Sequence, residues 1–67
     1  MDERYMTGLR PARMAKGLTQ QRVATDLHIS REALSYYENG LRDPSVSMLV
    51  KMSRYFGVSV DELIGIK

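Results

Sequence analysis

Residues 20–39 constrain this chain more than any other stretch. Their apolar members do not alternate as a half-buried strand requires. They fall at helical spacing in two short runs: Val23, Ala24 and Leu27, then Leu34 and Tyr37, with Ile29 between them. The spacing predicts two short helices joined by a tight turn, each burying one face. Ala24 is small enough to let them cross closely. On the second helix Arg31, Glu32, Ser35 and Tyr36 are polar or amphipathic and point outward. A short helix with such a free face has the shape to lie in a DNA major groove.

Punctuation residues place further helices around this pair. The first covers 9–16, with Leu9, Arg13 and Met14 on one face and Gly17 ending it as a left-handed residue. Pro11 confines its start to between Gly8 and Arg10, because proline is tolerated only in a first turn. Thr19 caps a helix over 20–27, and His28 follows where the turn demands positive φ, at about 1 kcal/mol of strain. Ser30 caps a helix over 31–38, which Asn39 and Gly40 stop. After a loop over 41–44, Ser45 caps a helix over 46–56 that buries Val46, Leu49, Met52, Ser53 and Phe56 and ends at Gly57. Ser59 caps a last helix over 60–64, with Glu62 as its capping-box partner. Residues 1–6 show no periodicity and read as a flexible tail. No convincing strand appears. The expectation is an all-α, compact five-helix bundle forming one domain over 1–67.

Composition excludes much else. The 67 residues hold no cysteine and one histidine, so no disulfide, thiolate site or histidine cluster can staple the fold. Helix packing must hold a core near the lower size limit, and a homodimer would add to it. No nucleophile, base and acid can be assembled, and no glycine-rich phosphate loop is present, so the reading is no enzyme, no metal and no cofactor. Met14 and Met52 read as core filler. The start, MDERYMTG, is acidic and lacks a signal-peptide core, and no apolar run spans a membrane; a cytoplasmic protein with no membrane partner is expected. The net charge of +2 is mild. Its distribution says more: Arg10, Arg13, Lys16, Arg22, Arg31 and Arg42 outweigh Asp26, Glu32 and Glu38 in the half that holds the helix pair.

With these helices in place the chain resembles the phage repressor and Cro (XRE-type) helix-turn-helix transcriptional regulators. The resemblance runs over about residues 9–64. It rests on Lys16-Gly17-Leu18-Thr19-Gln20, Ser30-Arg31-Glu32-Ala33-Leu34-Ser35, Tyr37-Glu38-Asn39-Gly40, Arg42-Asp43-Pro44-Ser45, and the run from Phe56 through Gly57, Val58, Ser59, Val60, Asp61 and Glu62 to Leu63. It implies a lambda-repressor-like domain that binds double-stranded operator DNA. It places Thr19, Gln20, Asn39 and Arg42 against phosphates, and Ser30, Arg31, Glu32, Ser35 and Tyr36 against bases. Arginine can give guanine two hydrogen bonds, and a tyrosine ring can meet a thymine methyl. It also pairs Arg13 with Glu38 as a structural salt bridge.

Three departures stand out. His28 replaces the family's usual glycine, Leu41 replaces a common lysine or arginine, and Pro11 shortens the first helix. The loss of a cation at 41 weakens a single copy's grip on phosphate. The expected protein is therefore a homodimeric repressor reading an inverted repeat. Val58, Val60, Ile64 and Ile66 either join the two copies or close the monomer core. The alternative function is a protein-interaction module, such as the antitoxin of a toxin–antitoxin pair.

Overall fold

A computed structural model describes residues 6–65, which form five helices: α1 (Leu9–Ala15), α2 (Gln20–Leu27), α3 (Arg31–Glu38), α4 (Val46–Phe56) and α5 (Val60–Ile64). The expected boundaries hold to within a residue. Four of the five N-termini are closed by the hydroxyl named above. Thr19 accepts from the Arg22 N–H, Ser30 from Ala33, Ser45 from Met48 and Ser59 from Glu62. Each such cap is worth about 1 kcal/mol, a sizeable share of the stability of so small a domain.

α1 is the exception, since Gly8 at its N-cap has no side chain to offer. The Gly8 N–H instead donates to the Leu63 carbonyl at 2.9 Å, which ties the start of α1 to α5. This close approach requires glycine: a Cβ here would run into the Glu62 carbonyl oxygen. Pro11 is the third residue of α1 and so stays in the first turn, where its missing N–H has no intrahelical role.

The core is built from Met6, Leu9, Val23, Ala24, Leu27, Leu34, Met52, Phe56 and Leu63, with Ile29, Tyr37, Leu49, Val58 and Ile64 packed against it. Three expectations need correction. Met6 is not part of a tail; it is only 2% exposed and sits in the core beside the start of α1. The other tail residues, 1–5, lie outside the described residues.

Met14 is not core filler, being 63% exposed. At about 100° per residue it stands roughly 140° around α1 from Leu9, and Ala12 takes the inward place beside Arg13. Val46 is likewise 77% exposed. The inward face of α4 is centred on Leu49, Met52 and Phe56, which leaves Val46 roughly 90° off that line and brings Met48 in instead.

Polar bonds then fix α2 against α4. The Tyr55 hydroxyl donates to Asp26 Oδ2 at 2.6 Å, and Lys51 Nζ donates to the Leu27 carbonyl at 2.7 Å. The second contact satisfies an orphan carbonyl at the C-terminus of α2 and sets a cation at the negative end of its dipole. The turn from α2 into α3 passes through His28 at φ 61°, the left-handed conformation the spacing demanded.

Candidate nucleic-acid interface

α3 is held from behind by one carboxylate. Glu38, its last residue, has a side chain with 0% exposure. It accepts from Arg13 Nε at 2.7 Å, from Arg13 Nη2 and Arg10 Nε at 3.2 Å each, and from Gln20 Nε2 at 3.0 Å. Arg13 also donates to the Leu18 carbonyl at 2.8 Å, so its charge is fully engaged. Burial by itself would raise the Glu38 carboxyl, but hydrogen bonds from Arg13, Gln20 and Arg10 outweigh it and hold the group below the usual carboxylate range. Three helices thus meet at one buried anion, which ties α1 and the start of α2 to the end of α3.

The family resemblance anticipated the Arg13–Glu38 pair. Sequence reasoning missed Arg10, which reaches both Glu38 and, through Nη2, Asn39 Oδ1 at 3.2 Å. The available signal was its position three residues before Arg13, one turn along the same face of α1.

Of the base-reading candidates, Arg31, Glu32 and Tyr36 are exposed and Ser35 is half-buried. They lie at helical positions i, i+1, i+4 and i+5 and so share the outward side of α3. Ser30 is exposed just before them, with its oxygen engaged by the Ala33 N–H and its hydroxyl hydrogen free to donate. Ser35 Oγ accepts from Asn39 Nδ2 at 3.3 Å and keeps its own hydrogen. The outward side therefore carries a fork of five donors, a carboxylate acceptor, hydroxyls and one aromatic face.

The phosphate candidates separate. Thr19 and Gln20 stand together at the N-terminus of α2, where the first N–H groups have no intrahelical partner and the dipole is positive. Gln20 gives one amide hydrogen to Glu38 and retains the other. Asn39 is different. Its Nδ2 donates to the Ser35 carbonyl at 2.8 Å and to Ser35 Oγ, and its Oδ1 accepts from Arg10, so its side chain is committed to closing the end of α3. Arg42 is exposed in the loop after α3, with its guanidinium carbon 5.3 Å from the Tyr36 ring centroid.

The positive excess of this half is partly neutralised: Arg10 and Arg13 pair with Glu38, and Arg22 pairs with Asp26 at 2.9 Å. Lys16, Arg31 and Arg42 form no ion pair with an acid among the described residues. Leu41, in place of a common family cation, is 74% exposed. Of the suggested dimer residues, Val58 and Ile64 pack against the core, Val60 is half-buried, and Ile66 lies outside the described residues. Among the described residues no group of acids, histidines or cysteines could hold a metal ion, and no helix is long and apolar enough to cross a membrane.

Comparison with known proteins bears on this geometry. The helix-turn-helix family matches residues 9–63. The chain is 42% identical over 57 residues to the HTH-type transcriptional regulator ImmR of Bacillus subtilis (strain 168), covering 85% of this chain and 45% of ImmR. It is 39% identical over 56 residues to the HTH-type transcriptional activator BcrR of Enterococcus faecalis, covering 84% of this chain and 28% of BcrR. The chain thus spans less than half the length of either relative. Among solved structures it resembles the restriction-modification controller protein C.AhdI of Aeromonas hydrophila, with a TM-score of 0.76 and 30% identity over 85% of this chain and 86% of that one.

Proposed function

The chain belongs to the helix-turn-helix family, and on that premise we propose that it is a sequence-specific, double-stranded-DNA-binding transcriptional regulator acting as a homodimeric repressor in the cytoplasm. One observation carries the reading. The outward side of α3 presents Arg31, Glu32, Ser35 and Tyr36 together, while its inward side is locked to α1 and α2 through Glu38. A rigid helix with an unpaired polar face is what a major groove accepts.

In this reading Arg31 donates to guanine O6 and N7, and Glu32 accepts from cytosine N4 or excludes wrong sequences by repelling phosphate. Ser30 and Ser35 donate to base edges or phosphate, and Tyr36 meets a thymine methyl. Thr19, Gln20 and Arg42 hold the backbone on either side. Asn39 acts at the backbone indirectly, by ordering the end of α3.

Two copies place their reading helices about 34 Å apart, in successive major grooves of an inverted repeat. The parts of Val58, Val60 and Ile64 not covered by the core supply the contact between copies, together with Ile66. Occupying a promoter needs no surface beyond the reading face, which favours repression over recruitment of polymerase.

Selection of duplexes from a random library at a stated salt concentration tests this. Enrichment of an inverted repeat with half-sites one turn apart is the expected result. A lone half-site would remove the dimer and keep the reading helix. Salt-sensitive binding without any enriched sequence would move the function to a partner-binding module such as an antitoxin.

A further inference from the structure

We infer that Arg42 governs which base pair Tyr36 accepts, by stacking on the ring and fixing its pose, and is more than a plain phosphate contact; this rests on the reading of α3 as the DNA-reading helix. The guanidinium carbon lies 5.3 Å from the ring centroid, within the range of a cation–π contact. Both side chains are otherwise open, with Tyr36 41% exposed. The loop that carries Arg42 is also pinned. The Leu41 N–H donates to the Tyr36 carbonyl at 2.9 Å and the Gly40 N–H donates to the Tyr37 carbonyl at 3.2 Å, the turn being made by Gly40 at φ 72°. The backbone bond joins the residue before Arg42 to the main chain of Tyr36, so the start of the loop is fixed relative to α3 at the residue whose ring Arg42 covers.

An exposed tyrosine by itself samples several rotamers, and a ring that wanders discriminates poorly between bases. With the guanidinium on one face, only the other face and the ring edge remain to meet a base. The stacked guanidinium still has its edge N–H donors free for a phosphate oxygen. Phosphate contact and base reading are then coupled: the phosphate that holds Arg42 also sets Tyr36. Lysine supplies the charge but no flat plane to stack, so it separates the two roles.

The test is duplex selection at fixed salt by the wild type, Arg42→Lys, Arg42→Ala, Tyr36→Leu and the double variant Arg42→Lys/Tyr36→Leu. Thermal melting checks each fold, which these exposed substitutions leave intact. Arg42→Lys is expected to retain the register of the selected site and to lose about fivefold in preference at one base pair, within the range of a single base contact. Tyr36→Leu lowers the preference at the same base pair, and the double variant loses nothing further there. If both Arg42 variants bind more weakly yet keep the wild-type preference at every position, Arg42 is a phosphate contact only and the inference falls while reading by α3 stands. A change at a base pair that Tyr36→Leu does not touch overturns it as well. A wild type that enriches no sequence removes DNA reading itself, and the inference with it.

Discussion

Gln20, the first residue of α2, donates its amide to Glu38, the last residue of α3, at 3.0 Å. The N-terminus of α2 and the end of α3 are thereby joined through one side-chain bond. The same carboxylate holds Arg13 and Arg10 from α1, so α2 and α3 are held to α1 by a side-chain charge that is closed off from solvent.

Glu38→Ala strands the Arg13 guanidinium with only the Leu18 carbonyl as acceptor. Breaking a buried pair in this way costs about 3–5 kcal/mol. Against a total stability of roughly 5 kcal/mol for a small domain, about 0–2 kcal/mol remains, so between a few per cent and about half of the protein is unfolded at 25 °C. Urea titration followed by circular dichroism reads this directly. A loss below about 1 kcal/mol would mean that the pair is ornamental.

Acid should act through the same group. The Glu38 carboxyl is held below its ordinary value, as is Asp26, which accepts hydrogen bonds from the Tyr55 hydroxyl and from Arg22. A depressed carboxyl stabilises the fold above its unfolded-state pKa, about 4 for Asp and Glu, and that stability is lost as pH falls through the folded-state value. Stability is therefore expected to be level from pH 7 to pH 5 and to drop below about pH 4. Glu38→Gln should flatten that acid drop. Superimposable acid limbs for the wild type and Glu38→Gln would contradict the assignment.

His28 holds φ 61°, where glycine is free of steric penalty. His28→Gly removes that strain and adds freedom to the unfolded chain, and the first effect is the larger. A net gain of at most about 0.6 kcal/mol is expected, with DNA affinity unchanged because the residue faces the turn. Thermal unfolding of the two proteins settles the sign.

Much of the fold was legible because local chemistry agreed with the packing. The hydroxyls at Thr19, Ser30, Ser45 and Ser59 each start a helix where the pattern put one, and Val23, Ala24, Leu27 and Leu34 are buried as their spacing required. Errors fell where the apolar residues of a single helical turn do not fix its phase. In α1, Met14 looked like core because methionine is apolar, but the small Ala12 occupies the inward place. Val46 failed in the same way at the first position of α4. Met6 precedes any periodic pattern, and its burial depends on how α1 docks on α5, which no local signal encodes.

The site divided along similar lines. Outward residues on α3 followed from periodicity, whereas the bond from Arg10 to Asn39 depends on how α1 packs against the end of α3, and the stack of Arg42 on Tyr36 on how the loop after α3 folds back.

The central claim is that the outward side of α3 reads base pairs, and Arg31 tests it most directly. The measurement is the affinity of wild type and Arg31→Ala for the selected duplex and for every single-base-pair variant of it, at one salt concentration. The account predicts that Arg31→Ala loses about 1–3 kcal/mol on the selected duplex and no longer discriminates at one base pair, while preferences elsewhere persist. Unchanged affinity and unchanged preferences in a folded Arg31→Ala protein would contradict it.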